Sequence, residues 1–247
     1  MDNISTRELY EKIWKSDGYA IKQKIDELSL SKTVLDSNFS ELVDFIKEYE
    51  ENKEILTDGV LNRKLKNEIV RLVQNYVASD YSYIEHAERV VKHLDDEELL
   101  SAFYEKRGKM WNDESVAFVR DLRRYSQHCG IIQQTTLIRF TRANMDQPLS
   151  HSDTSVVLMK ENLMKWKDWK SKSNSFIKKM DNQVKLIIPL TRQFKILNAF
   201  HEWLFDEIFL RFEKQIEQYN SIIKHIMERK SSTRAGGLNN WCLRCLE

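Results

Sequence analysis

"NDESVAFVRDLRRYSQHCG", residues 112–130, carries a helix start, a buried face and a helix stop in one short stretch. Asn112 or Asp113 can cap the helix, because a short polar side chain accepts hydrogen bonds from the first free backbone amides. Gly130 suits a left-handed C-terminal stop. The apolar residues recur at helical spacing and predict the buried side: Val116, Phe118, Val119, Leu122 and Tyr125. The stretch therefore predicts one amphipathic helix of a helical domain.

The rest of the chain favours long helices as well. Its 247 residues include only six Gly and two Pro, so little of the usual turn material is present. The opening of "STRELYEKIW" predicts a capping box, in which the side chains of Ser5 and Glu8 accept hydrogen bonds from each other's backbone amides. Turns are expected at Asp17-Gly18 and at 57–59, and the spacing from Leu61 predicts a helix without a break to residue 94.

Residues 131–159 differ in character from this helical background. "IIQQTTLIRFTR" and "TSVVLM" are rich in β-branched residues and bracket a loop that contains Pro148. We expect a β-hairpin or two short strands there, inserted after the motif helix. Helix returns from Lys160, and Pro189 marks a start or a kink in the last apolar-periodic segment. The sequence thus predicts one mainly α domain over 1–230 and a flexible tail over 231–247.

Charge and cysteine content narrow the function classes. The net charge of +1 argues against a uniformly basic nucleic-acid binder, so an anion site must be local. No run approaches the roughly 18 apolar residues of a membrane span, and the charged N-terminal stretch lacks the apolar centre of a signal peptide. We expect a cytoplasmic protein without membrane contact. Cys242 and Cys245 form a lone C-x-x-C without further ligands, which predicts no metal site.

The basic end of the motif helix is the best candidate for chemistry. Arg120, Arg124 and His128 are four residues apart and share one helix face, while Arg123 lies on an adjacent side next to Gln127. Guanidinium groups bind phosphate oxygens in two-point contacts, and histidine moves protons near neutral pH. Together they suffice for metal-free RNA cleavage, in which histidine takes the 2′-hydroxyl proton and arginine stabilises the charge at phosphorus.

The basic end of this helix also has a plainer interpretation. The arginines can form a solvated face, with His128 an ordinary helix-end histidine favoured by the helix dipole.

A second candidate binding surface lies in "KWKDWKSKSNSFIKK" (165–179). This segment interleaves Trp166, Trp169 and Phe176 with lysines, as a surface that stacks on bases would. The alternative there is that the tryptophans anchor a helix to the core while the lysines stay in water.

The spacing of Arg123 and His128 matches the R-x4-H motif of the HEPN superfamily, helical proteins that include many metal-independent ribonucleases. "FVRDLRRYSQHCGI" is similar to an "LRNYxxHxG" stretch in bacterial HEPN-like proteins. Upstream, "IVRLVQNYVASDYSYIEHAER" resembles the "NYLAS…H" helix of the same group. The resemblance covers about 60–135 and, more loosely, the long helix after 184. Arg124 departs from the family, because nuclease members usually have Asn or another small polar residue there.

The resemblance implies a HEPN-type helical bundle with a small β-hairpin insertion after the motif helix. It implies a metal-independent endoribonuclease that needs no cofactor, with Arg123 and His128 catalytic and Arg120, Arg124, Tyr125 and Gln127 binding substrate. Single-stranded RNA is the expected partner, with a homodimer that pairs the motif helix with its copy. Roles in stress response or phage defence, with an antitoxin-like protein partner, also follow from the family. The alternative is a non-catalytic helical module that binds RNA, a nucleotide or a protein.

Overall fold

The chain is mainly helical and carries one small antiparallel sheet. The computed structural model describes residues 5–128, 134–141 and 150–235. Within those ranges the helices are α1 (Thr6–Trp14), α2 (Asp17–Glu51), α3 (Gly59–His93), α4 (Glu97–Trp111), α5 (Glu114–His128), α6 (Lys160–Leu163), α7 (Ser171–Lys179) and α8 (Ile187–Ala235), with a 3-10 turn at Lys53–Leu56. None of these helices is both long enough and apolar enough to cross a membrane.

Polar side chains cap the starts of three helices. The Ser5 hydroxyl accepts from the Glu8 amide at 3.2 Å, and the Glu8 carboxylate accepts from the Ser5 amide at 2.7 Å, which completes the capping box. Asp58 caps α3 by accepting from two backbone amides at 2.9 Å. Asp113, rather than Asn112, caps α5 by accepting from the Ser115 amide at 2.9 Å. The starts of α1 and α5 confirm the prediction, whereas α3 begins at Gly59, inside the turn expected at 57–59 and two residues before Leu61.

The predicted hairpin is present and gains a third strand. β1 (Gln134–Thr141) pairs antiparallel with β2 (Ser150–Met159), with an irregularity between Arg139 and Phe140. β3 (Gln183–Lys185) then adds to the other edge of β2, giving the order β1-β2-β3. The sequence did not predict β3, because three residues are too short for an alternating pattern. The loop predicted around Pro148 and the helix stop at Gly130 lie outside the described residues.

Helix boundaries differ from the expectation at two places. The interruption predicted at Asp17-Gly18 falls slightly earlier, at residues 15–16, and Gly18 lies in the first turn of α2. Pro189 is the third residue of α8, a position where its missing amide removes no helical hydrogen bond. Pro189 therefore lies at the start of the last helix, one of the two roles predicted for it, and a separate kink occurs at Phe212, whose φ of −110° and ψ of 17° are not helical. α8 extends to Ala235, so residues 231–235 of the predicted tail are helical, and 236–247 lie outside the described residues.

The chain divides into two compact units. One comprises residues 1–27 and 205–247, and its described part has a small core of Leu9, Ile13 and Ile226 covered by partly buried tyrosines and isoleucines. Gly18 allows a close approach there. A Cβ on Gly18 would lie 2.2 Å from the backbone oxygen of Gln215, so any larger residue would collide with it.

The larger unit, Leu28–Leu204, holds the sheet and most of the apolar core. Aromatic rings link its helices: Phe39 stacks on Phe194, and Phe103 meets Phe200 edge to face. Within this unit α5 packs against α3, α4 and α7. The motif helix therefore has two packed sides, one toward α3 and α4 and the other toward α7. That arrangement decides where each basic side chain of α5 lies.

Candidate functional site

The arginines of α5 lie in two different environments, one at a cavity and one beside Asp121. Arg120 and Arg123, three residues apart, line a cavity with residues of α3 and α4. Arg124, one position further along the helix, interacts instead with Asp121 and with the segment that leads into α7. Because a helix advances about 100° per residue, adjacent positions face different neighbours. The structure therefore separates the basic residues that the sequence grouped together.

The cavity has a volume of about 170 Å³. α3 contributes the largest share of its lining, and α5, the end of α4 and one residue of α8 close it. Its buried floor is polar, since Asp80 and Gln193 are only 3% and 1% exposed. Its mouth has Tyr81, which is 41% exposed, and the exposed Glu85. Its apolar walls are formed by Val77, Ile84, Met110 and Val116.

Both cavity arginines lie on aromatic rings. The Arg120 guanidinium carbon is 3.7 Å from the centre of the Trp111 ring, and that of Arg123 is 3.9 Å from the centre of the Tyr81 ring. Such cation–π contacts hold a guanidinium in place without neutralising its charge. No described residue forms an ion pair or a hydrogen bond with either guanidinium group. Two positioned cationic groups are thus free to meet an anion at this cavity.

Trp111 is shared by two arginines. Arg107 lies 4.3 Å from the same ring, but its charge is balanced by an ion pair with Glu88. Hydrogen bonds from Lys92, Tyr104 and Arg107 lower the pKa of Glu88 to about 2, so this carboxylate is ionised at physiological pH. The indole Nε1 of Trp111 is buried and has no hydrogen-bond partner among the described residues. Arg107 supports the ring, and Arg120 remains the unpaired cation of the two.

Asp80 is a buried carboxyl group at the floor of the cavity. The Tyr76 hydroxyl donates to Gln193 Oε1, and Gln193 Nε2 donates to Asp80 Oδ1 at 2.6 Å. Burial raises the pKa of Asp80 to about 6, although the Gln193 hydrogen bond and the nearby charge of Arg120 both act to lower it. Burial has the opposite effect on a cation and lowers the pKa of Arg120, while the negative charge of Asp80 acts to raise it. The two groups therefore influence each other across the cavity without a direct ion pair.

On its α7 side, α5 forms a closed polar network around Asp121. This carboxylate is buried and accepts from the Lys170 amide at 2.9 Å and from the Ser173 hydroxyl at 2.7 Å. The Arg124 guanidinium lies 3.1 Å from its other oxygen, and its ring neighbour is Trp166 at 5.6 Å. Asp121 thus accepts hydrogen bonds from two groups at the start of α7. The predicted substrate-binding residue Arg124 has its charge balanced within the protein.

Tyr125, also predicted to bind substrate, belongs to the aromatic core between α5 and α7. Its ring is nearly parallel to that of Trp169, with centres 5.6 Å apart, and meets Trp166 edge to face. All three side chains are at most 9% exposed. The structure therefore favours the plainer interpretation of the Trp- and Lys-rich stretch, in which the tryptophans anchor the helix. It also confirms the burial of Tyr125 that the apolar periodicity predicted.

Gln127 and His128 are exposed at the end of α5. His128 does not line the cavity, so a single chain does not bring the histidine of the motif to the same pocket as Arg123. No described set of three or more His, Cys, Asp and Glu side chains is placed to hold a metal ion. Cys242 and Cys245 lie outside the described residues. The predicted site residues thus fall into four groups: Arg120 and Arg123 line the cavity, Arg124 pairs with Asp121, Tyr125 is buried in the core, and Gln127 and His128 are exposed.

Sequence reasoning missed several residues that line the cavity, namely Asp80, Tyr81, Trp111 and Gln193. It also missed Tyr76, which donates a hydrogen bond to Gln193. One signal was available for Asp80. It falls on the apolar stripe of α3, between Val77 and Ile84 at helical spacing, where a charged residue requires a partner or a ligand. Gln193 gave no such signal, because it reaches Asp80 from a helix more than a hundred residues later in the chain.

Comparisons with protein-family models, with curated proteins and with solved structures found no match to this chain. The geometry of the cavity and of α5 therefore carries the functional argument, together with the sequence resemblance described above.

Proposed function

We propose that the protein is a metal-independent endoribonuclease in which Arg123, assisted by Arg120, holds an RNA phosphate and His128 of a second copy moves the proton. One observation carries the proposal. Two guanidinium groups are held on aromatic rings at one cavity, and no described side chain neutralises them. A cationic pair kept without a carboxylate partner is suited to a phosphate, which guanidinium binds with charge-assisted hydrogen bonds.

The position of His128 is the reason for a second copy. Arg123 faces the cavity on α3, whereas His128 is exposed at the helix end and outside the cavity lining. Five residues on a helix correspond to an offset of about 140°, so one chain does not direct both side chains at one phosphate. A two-fold pairing of α5 with its copy would bring the histidine of one chain to the arginines of the other.

The reaction follows from these positions. His128 takes the proton of the ribose 2′-hydroxyl, the freed oxygen attacks the adjacent phosphorus, and the bond to the 5′ oxygen breaks. The leaving oxygen takes a proton from water, and the products are a 2′,3′-cyclic phosphate and a 5′-hydroxyl end. Arg123 stabilises the additional charge on the phosphate oxygens as the new bond forms.

The test is cleavage of mixed single-stranded RNA by the purified protein in EDTA. His128→Ala should lower the cleavage rate by about 10²–10⁴-fold with little change in RNA affinity, because only proton transfer is lost. Arg123→Ala should lower both the rate and the affinity. His93→Ala and Arg63→Ala are matched controls on the exposed surface of α3 and should cleave as the parent does. An active His128→Ala protein would overturn the catalytic assignment.

Mixing the two inactive chains tests the shared site directly. A dimer of one Arg123→Ala chain and one His128→Ala chain retains one complete site, formed by Arg123 of one chain and His128 of the other. Equal mixing should therefore restore about a quarter of the parental activity, since half of the dimers are mixed and each has one of two sites. No restoration, together with a monomeric mass by light scattering, would exclude a site shared between copies.

A second function, RNA binding without cleavage, is favoured by one specific observation. Arg124 stands where nuclease members of the resembled family usually have a small polar residue, and here it pairs with Asp121. It is therefore not available to orient His128 in the way a small amide would. If no variant or parent protein cleaves RNA, but Arg123→Ala weakens RNA binding and Arg63→Ala does not, the binding function replaces the nuclease.

A further inference from the structure

The cavity below Arg120 and Arg123 is deeper than a phosphate contact requires. Four lining residues at its inner end are at most 3% exposed: Val77, Asp80, Val116 and Gln193. The exposed residues of the lining, Tyr81 and Glu85, mark its mouth. The pocket therefore has Tyr81 and Glu85 at its mouth, two partly buried arginines and apolar residues along its walls, and the carboxyl group of Asp80 at its buried end.

The volume of the cavity limits the size of an occupant. A cavity of about 150 Å³ with apolar walls accepts a benzene ring. The present cavity, at about 170 Å³, matches one six-membered ring and leaves little room for a fused bicyclic one. A flat ring would contact the aliphatic side chains of the wall while a charged substituent stayed at the mouth beside the arginines.

The hydrogen bonds at the floor of the cavity indicate which hydrogen-bonding group the ring needs. Gln193 uses its oxygen to accept from Tyr76 and its nitrogen to donate to Asp80 Oδ1, so the direction of the chain is fixed. No other described residue donates to the Asp80 carboxylate, which leaves Oδ2 without a donor in the part of the chain that the structure describes. Because Asp80 lines the cavity and Oδ2 is not among the fully buried side-chain atoms that lack a partner, this oxygen is accessible to an occupant of the cavity. A ring that presents an N–H group would satisfy it.

We propose that the cavity binds the base of a cytosine nucleotide, whose exocyclic amine donates to Asp80 while its phosphate lies against Arg120 and Arg123. Cytosine fits because its N4 amino group is a donor that acidic side chains accept. Uracil carries a carbonyl oxygen at the same position, which the carboxylate repels. The inference rests on the proposed function only in taking the two arginines as the phosphate contact, and it assigns the proposed nuclease a preference for cytosine.

The first measurement compares ligands on the full-length protein at pH 7.5. Isothermal titration with cytidine 5′-monophosphate, uridine 5′-monophosphate and inorganic phosphate should rank them in that order. The cytidine nucleotide should bind roughly 10- to 100-fold more tightly than the uridine nucleotide, since one hydrogen bond to a charged acceptor is exchanged for a repulsion. Equal affinities for the two nucleotides would overturn the proposal, because the phosphate alone would then account for binding.

Asp80→Asn is the decisive variant because it keeps the shape and reverses the polarity. Gln193 must still donate to the side-chain oxygen at position 80, so the new amide nitrogen takes the place of Oδ2 and becomes a donor. The variant should therefore prefer the uridine nucleotide, whose carbonyl accepts from that nitrogen. Glu85→Gln removes the same charge at the mouth and should leave the preference for cytidine unchanged. Thermal unfolding of both variants establishes that they are folded.

The outcomes separate this inference from the nuclease proposal. RNA cleavage that depends on His128, with equal binding of both nucleotides, supports the nuclease and overturns the cytosine pocket. Tight cytidine binding that Asp80→Asn reverses, without any RNA cleavage, supports the pocket and overturns the nuclease. If Asp80→Asn and Glu85→Gln change the ratio of the two affinities equally, the carboxylate at the floor is not the group that selects the base, and the proposal fails.

Discussion

The two packed sides of α5 both contain arginines, but the surroundings of these arginines differ. On the α7 side, Arg124 meets the buried Asp121, whose remaining hydrogen bonds start the next helix. On the α3 side, Arg120 and Arg123 lie on aromatic rings, and the buried carboxyl of Asp80 faces the same cavity without pairing with either. The first side is saturated with hydrogen bonds and stabilises the fold, whereas on the second side neither arginine forms an ion pair with a described residue. Guanidinium groups that form no ion pair beside a cavity remain available to bind an anion.

The largest effect should come from the aromatic part of the saturated side. Tyr125→Ala removes a ring that is 7% exposed and stacked on Trp169, so the free energy of unfolding should fall by about 3–5 kcal/mol. Gln127→Ala, at an exposed position of the same helix, should change it by less than about 0.5 kcal/mol. Denaturant unfolding of both proteins measures the difference. A loss below about 1 kcal/mol for Tyr125→Ala would show that this side is not a packed core.

Removing the central carboxylate of that side should have the next largest effect. Asp121→Ala leaves the Lys170 amide, the Ser173 hydroxyl and the Arg124 guanidinium without their acceptor, and should lower the free energy of unfolding by about 3–4 kcal/mol. Ser173→Ala removes only one of these donors and serves as the control, with a loss of about 1 kcal/mol. Similar losses for the two variants would mean that the carboxylate does not organise the start of α7.

On the cavity side of α5, Asp80 should make the free energy of unfolding depend on pH. The pKa of Asp80 in the folded protein, about 6, lies above its usual 3.8, so the native state holds a proton that the unfolded chain releases between these values. The contribution of Asp80 to stability therefore falls as pH rises from about 4 to 6, by up to about 3 kcal/mol. Asp80→Asn lacks this dependence. The difference in unfolding free energy between parent and variant should decrease across that window, and a flat difference would contradict the burial of this charge.

Replacing one arginine on each side of α5 should have the smallest effects on stability but should distinguish the two sides in RNA binding. Arg123→Ala should change the free energy of unfolding by less than about 1 kcal/mol, because this partly exposed side chain forms no ion pair within the described part of the chain. Arg124→Ala should lower it by about 1–2 kcal/mol, because the buried Asp121 loses its cation but keeps two hydrogen-bond donors. Only Arg123→Ala should weaken RNA binding and reduce the slope of its salt dependence by about one ion. Titrations of single-stranded RNA at several salt concentrations provide both quantities. Equal loss of affinity in the two variants would remove the functional distinction between the sides.

The sequence predicted those features that depend on neighbouring residues. The Ser5 capping box, the Asp113 cap and the buried stripe of α5 each arise within one or two turns of helix, so the residue pattern contains them. The pairing of β1 with β2 was also accessible, because both strands are long enough to show their β-branched composition. β3 was not, since it forms only by adding to the edge that β2 presents.

The candidate site was predictable only in part, for a similar reason. The basic cluster was evident, but the division between Arg123 and Arg124 depends on which helices pack on each side of α5. Asp80 and Gln193 meet through tertiary structure alone, from α3 and α8. The helical offset between Arg123 and His128 was visible in the sequence, and the structure agrees with it by leaving His128 outside the cavity.

The stacking of Arg120 on Trp111 gives the molecule an optical property. A guanidinium 3.7 Å from the ring centre imposes a strong local electric field on the indole, and the emission energy of an indole depends on that field. An anion that draws Arg120 toward the mouth of the cavity would change the field and shift the fluorescence of Trp111. The protein thus contains its own reporter beside the cavity, and replacing Trp111 with Phe identifies which part of the total tryptophan signal it supplies.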